Sequence, residues 1–151
     1  MINKLIPTLL LAGAVLLPMT AVGAEGKPES HDEVATQTAA LMTEMMTSMS
    51  NIKDIESAKA FAESTEKVKT KMKDLVKAAE ALPAPTNEQK ESFQATMEAA
   101  QEQMMPLMMQ MGMNMQNNPD AEKIQEIIAG AMEDEEMDEV GEKLQSIYEV
   151  E

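Results

Sequence analysis

Seven positions, Phe61, Thr65, Val68, Met72, Leu75, Ala79 and Leu82, follow one another at alternating steps of four and three. At 3.6 residues per turn this spacing draws one stripe down the side of a helix, and a stripe of that length needs other helices to cover it. The repeat predicts a long helix over residues 55–82. With it comes an all-α fold, a helical hairpin or four-helix bundle of long amphipathic helices with no sheet. Asp54 suits the N-cap of that helix. Pro83-Ala84-Pro85 ends it, because proline cannot donate to the helical ladder and disfavours helix in the residue before it.

The same spacing recurs on both sides. In residues 33–50, Val34, Leu41, Met45 and Met49 share a stripe with Met42 and Met46 beside it, which predicts a first helix. Thr86-Asn87-Glu88-Gln89 forms a capping box that opens a third helix of about 30 residues. Its core row is Phe93, Met97, Ala100, Met104, Leu107, Met111 and Met115. Pro106 deletes the bond to the Glu102 carbonyl and should bend the rod by about 20° or more. Asn118 as N-cap, with Pro119 at the first helical position, predicts a restart after residue 117. The final segment carries Ile124, Ile127, Ile128 and Ala131, then Val140, Leu144 and Ile147. The acidic residues 133–139 interrupt this row, so a kink, a frayed turn or two shorter helices are expected there.

Charge restrains the arrangement. Of the lysines after residue 24, Lys53, Lys59, Lys67, Lys69, Lys71, Lys73 and Lys77 lie on or just before the second helix, whereas residues 119–151 are strongly acidic. Attraction should set the last helix beside the second, at well under about 1 kcal/mol per exposed pair. The short Pro-Ala-Pro turn predicts that the second and third helices are antiparallel neighbours.

Residues 1–24 read as a cleaved secretory signal peptide: Lys4, an apolar run from Leu5 to Leu17 broken by Pro7 and Gly13, then the small residues Val22-Gly23-Ala24. The run is too short and interrupted for a membrane span of roughly 20 residues. No later segment is apolar enough to make one, so no transmembrane segment is expected after cleavage. A periplasmic or secreted location follows, with residues 25–32 as a loose N-terminal arm holding the lone histidine, His31, exposed, and residues 33–151 as a single helical domain.

Removing residues 1–24 leaves 11 lysines against 27 acids, a net charge of −16. Such a chain repels phosphate backbones, so nucleic acid is an improbable partner. Neither arginine nor cysteine occurs. With one histidine in a loose arm, neither general-base catalysis nor a zinc site has its usual material, and the chain reads as non-enzymatic.

The unusual resource is methionine, of which seven of seventeen fall in residues 101–115. Met104, Met111 and Met115 belong to the core row. Met105, Met109 and Met113 form a second column, about 100 to 180° round the helix from Met104, that a helix with one buried face does not need. Met105, Met108, Met109 and Met113 are therefore the candidate interaction surface for an unidentified protein partner or a second copy, since flexible thioether chains adapt to varied surfaces. The alternative is soft-metal binding. Copper(I) selects sulfur ligands, and helical spacing groups Met105 with Met109, Met109 with Met113, and Met42 with Met45 and Met46. No other cofactor is indicated.

Residues 52–60 (Ile-Lys-Asp-Ile-Glu-Ser-Ala-Lys-Ala), the lysine-rich amphipathic helix after them and the turn at residues 82–88 (Leu-Pro-Ala-Pro-Thr-Asn-Glu) together resemble a group of small exported bacterial helical proteins with no assigned activity. The resemblance covers about a third of the chain. It implies a signal peptide and a helical hairpin or bundle, carries over no binding or catalytic residue, and does not extend to the methionine stretch.

Overall fold

The computed structural model describes residues 26–149, which form five helices and, among the described residues, no strand: α1 (His31–Ser50), α2 (Ile55–Ala81), α3 (Asn87–Met115), α4 (Ala121–Met132) and α5 (Glu135–Tyr148). The expected signal peptide lies outside the described residues. Among the described residues no helix is long and apolar enough to cross a membrane.

Capping places the breaks. Asp54 accepts from the Ser57 backbone N–H at 2.8 Å, and the Ser57 hydroxyl accepts in return from the Asp54 N–H. That hydroxyl also holds the Asp54 carboxyl below its ordinary range. Thr86 and Gln89 exchange the same pair of bonds at the start of α3. α3 continues unbroken through Pro106. The acidic interruption resolves into two shorter helices, with Asp134 capping α5 by accepting from the Glu136 N–H at 2.9 Å.

α4 and α5 follow one another as the fourth column of a four-helix bundle, both packed on α2. The expectation that α2 and α3 are neighbours is wrong. α3 packs chiefly on α1 and touches α5, so α2 and α3 stand diagonally. The reason is the breadth of α1, whose buried residues Val34, Leu41 and Met49 continue round through Ala35, Ala39, Met46 and Ser50. By helix geometry that arc covers about 180°. α1 thus serves two neighbours, and the extended chain at 82–86 crosses between them. As predicted from charge, α2 meets the last column: Lys69 binds Asp134 at 2.6 Å and Lys73 binds Glu136 at 2.8 Å, while Lys69 also pairs with Glu66 of its own helix at 2.9 Å.

The core has two parts. One joins Val34 and Leu41 to Val68, Leu75, Phe93, Val140, Leu144 and Tyr148. The other joins Met46, Met49 and Ile52 to Phe61 and Ile124, with Met104, Leu107, Met111 and Met115 partly buried against it. Met45 packs against both.

His31 corrects the sequence reading. Far from being exposed in a loose arm, it opens α1 and is 5% exposed. Its Nε2 lies 2.7 Å from the Pro83 carbonyl, which can only accept, so Nε2 carries the proton. Nδ1 then accepts from the Tyr148 hydroxyl at 2.7 Å. Tyr148 also stacks on Phe93 with ring centroids 4.0 Å apart. Burial, with a smaller contribution from Asp32, pushes the Tyr148 hydroxyl up to about 12. The folded state therefore favours the neutral phenol. That stability is fully present below the unfolded value near 10 and is lost as pH rises through about 12. Tyr148→Phe should keep the ring stack but orphan Nδ1, costing about 1–3 kcal/mol at neutral pH. It should also flatten the alkaline loss of stability between pH 10 and about 12, as read by urea melts across pH.

Candidate functional site

The C-terminal half of α3 is held from one side. Asn114 donates its side-chain amide to the Ser50 carbonyl at 3.2 Å, at the end of α1 where helical carbonyls lack partners. Asn118 was expected to cap the next helix. Instead its amide nitrogen donates to the Lys53 carbonyl at 2.7 Å while its oxygen accepts from the Asp120 N–H, and α4 starts at Ala121 with no side-chain cap bond. Pro119 consequently sits in the turn rather than at the first helical position. Asn118 thus ties the α3–α4 turn to the α1–α2 turn through its amide nitrogen and closes its own turn through its oxygen.

Along this half of α3 the methionines sort as their helical phase dictates. Met104, Met111 and Met115 face inward and are half-buried beside Leu107. Met105 is 73% exposed, Met108 55%, Met109 68% and Met113 64%. Full burial of one methionine is worth about 1.5–3 kcal/mol, so most of that gain is left unrealised on this face. Gly112 lies within it, and a Cβ there would meet nothing within 4 Å. The face also lacks charge. From Gln103 to Pro119, seventeen residues in a row, there is no Asp, Glu, Lys or His, the longest such run in residues 26–149 of a chain of net charge −15. Sequence reading by methionine phase found the column but passed over this run of neutral residues.

Met42 and Met46 do not join the column. Met46 is buried with Met49, Ile52 and Phe61. Met42 is half-buried and lines a groove of about 670 Å³ between α3 and α5, together with Met72, Met97 and Met137. Any thioether ligand set centred on Met105, Met109 and Met113 is accordingly drawn from one helix. Among the described residues no three His, Asp or Glu side chains gather as a metal group. His31, the one histidine, spends both ring nitrogens on the clasp with Pro83 and Tyr148.

Two acids of the last column, Asp134 and Glu136, pair with lysines of α2. Lys69 and the Glu136 backbone N–H hold the Asp134 carboxyl below its ordinary range, Lys73 does so for Glu136, and Asp134 raises Lys69. The carboxylates contribute stability above their unfolded values near 4 that is lost as pH falls, and Lys69 contributes below its unfolded value near 10.5 that is lost as pH rises.

No protein-family model, curated protein or solved structure matches this chain. Exposure gives the first check on the geometry. Under dilute hydrogen peroxide each thioether takes up one oxygen to give sulfoxide and water. Met105 and Met109 should oxidise at least roughly tenfold faster than Met46 and Met49, read by peptide mass spectrometry. Equal rates would mean that the two groups are not differently covered.

Proposed function

We propose that this chain acts by binding rather than by catalysis, and that the exposed methionine face of α3 docks onto another protein surface, with a second copy of the chain permitted as partner because the face carries no charge. The observation that carries the reading is the coincidence of Met105, Met108, Met109 and Met113 with the uncharged run 103–119. Two copies of net charge −15 repel through most of their surfaces. They can meet where neither brings a carboxylate, and methionine adapts to whatever it meets. The reading of residues 1–24 as an export signal assigns this role to the periplasm or the cell exterior.

The scale is modest. Four methionines on each of two copies offer roughly 10 kcal/mol, comparable to the roughly 4–15 kcal/mol that association costs. The pairing should therefore be weak and concentration-dependent, micromolar or looser, and strengthened by salt, which screens the acidic remainder.

A second reading is copper(I) binding through the thioethers of Met105, Met109 and Met113. It is favoured by their four-residue spacing on an open helix face, which sets successive sulfurs near one another, and by the preference of copper(I) for soft ligands. The two readings separate by substitution. Leucine at all three positions preserves the apolar face and removes sulfur, so it should leave association intact and abolish copper(I) uptake measured against a chelating competitor. Met109→Glu/Met113→Glu should abolish association in sedimentation equilibrium, weakening it at least roughly tenfold, about 1.4 kcal/mol. A chain that stays monomeric near about 1 mM at high salt would remove the self-docking reading. Copper(I) affinity unchanged in the leucine variant would remove the metal one.

A further inference from the structure

The methionine face occupies the C-terminal half of α3, and a second methionine-lined surface lies along its N-terminal half. α3 and α5 are joined at one end by the stacked rings of Phe93 and Tyr148. Alongside, a half-open groove of about 670 Å³ runs between them. Met42 from α1 and Met72 from α2 reach it, Met97 and Met137 flank it from α3 and α5, and Leu144 adds to the apolar lining. Thioethers from four helices thus meet in one trough, a lining that can reshape to fit side chains of varied outline.

Three observations specify the occupant. Glu98 and Glu149 border the groove, among the described residues no lysine lines it, and the whole chain carries −15, so the groove attracts cations and repels acids. Its hydroxyls are already engaged, Thr38 with the Val34 carbonyl and Tyr148 with His31, and the amides of Gln94, Gln101 and Gln145 line it as well. Gly141 leaves the α5 wall bare: a Cβ there would meet nothing within 4 Å, although a mid-helix glycine costs about 0.5–1 kcal/mol against alanine. Along α3 the groove spans Gln94 to Gln101, about 10 Å at 1.5 Å per residue, or roughly two helical turns.

We infer that this groove binds a cationic amphipathic helical segment of another protein, its apolar side on the thioethers and its lysines or arginines toward Glu98 and Glu149. The apolar contact supplies affinity, and the acidic surroundings supply choice of partner and rate of encounter.

The probe is a fluorescein-labelled peptide of about 14 residues with leucines on one helical face and lysines elsewhere, compared with a counterpart carrying glutamate in place of lysine. Fluorescence anisotropy with the full chain should give a Kd on the order of 10 µM for the lysine peptide and binding at least roughly tenfold weaker for the glutamate peptide. Gly141→Phe fills the groove where space is open, so it should weaken binding at least roughly tenfold while circular dichroism and the melting temperature stay those of the parent. Glu98→Gln/Glu149→Gln, both at exposed positions, should weaken binding a few-fold and reduce its salt dependence. Met109→Glu/Met113→Glu should leave it unchanged, so loss of the outward face and loss of the groove are read separately. Equal binding of the two peptides, no saturable binding of either, or full affinity in a folded Gly141→Phe protein would each overturn the assignment.

Discussion

The bundle is closed at one end by a single side chain. Tyr148, the last residue of α5, stacks on Phe93 of α3 and donates to His31 of α1, which in turn holds the Pro83 carbonyl after α2. Every column of the bundle is represented in that contact, and all of its polar atoms are satisfied. A chain with two phenylalanines, one tyrosine and no tryptophan has spent all three of these rings there and at Phe61. The rest of the interior is left to aliphatic residues and methionine.

That uneven supply shapes the opposite end. Beside Ile52, Phe61 and Ile124 the space between columns is filled by Met46, Met49, Met104, Met111 and Met115, long flexible chains that reach across irregular gaps. α3 is wrapped on its inner side only, and two asparagine amides, one near its end and one just after it, add to the packing of Met111 and Met115 in fixing that end beside the α1–α2 turn. The helix therefore carries methionine outside as well as inside. Core filling explains the inner set. It does not explain four thioethers facing solvent in a stretch from which charge is absent, while the helices around it are rich in acids.

Much of this was legible in the chain because it is local. The heptad of α2 is a property of adjacent turns, and the caps at Asp54 and Thr86 rest on residues three apart. The division of the α3 methionines follows from helical phase alone. What was missed depends on partners distant in sequence. His31 pairs with a residue 117 positions away, and nothing beside it in the chain announces Tyr148. A local sign did exist: Ser30 and Glu33 have the spacing of an N-cap with its third residue, and Ser30 accepts from the Glu33 N–H. It would have started α1 at its true position. Asn118 was misread because its oxygen accepts from the N–H two residues on, as a cap would, but in a turn that precedes the helix. The α2–α3 adjacency failed because a short turn limits distance but not direction, and the wide apolar arc of α1 offered α3 the larger surface.

The account rests on the outward thioethers being a surface that another molecule covers. Methionine methyl groups labelled with carbon-13 report this directly, because each gives its own resonance and its shift changes when a neighbour arrives. Across a dilution series at high salt, the signals of Met105, Met108, Met109 and Met113 should move together with concentration while those of Met46 and Met49 stay fixed. Shifts that do not change with concentration at any of the four, or that change first at the buried pair, would contradict it.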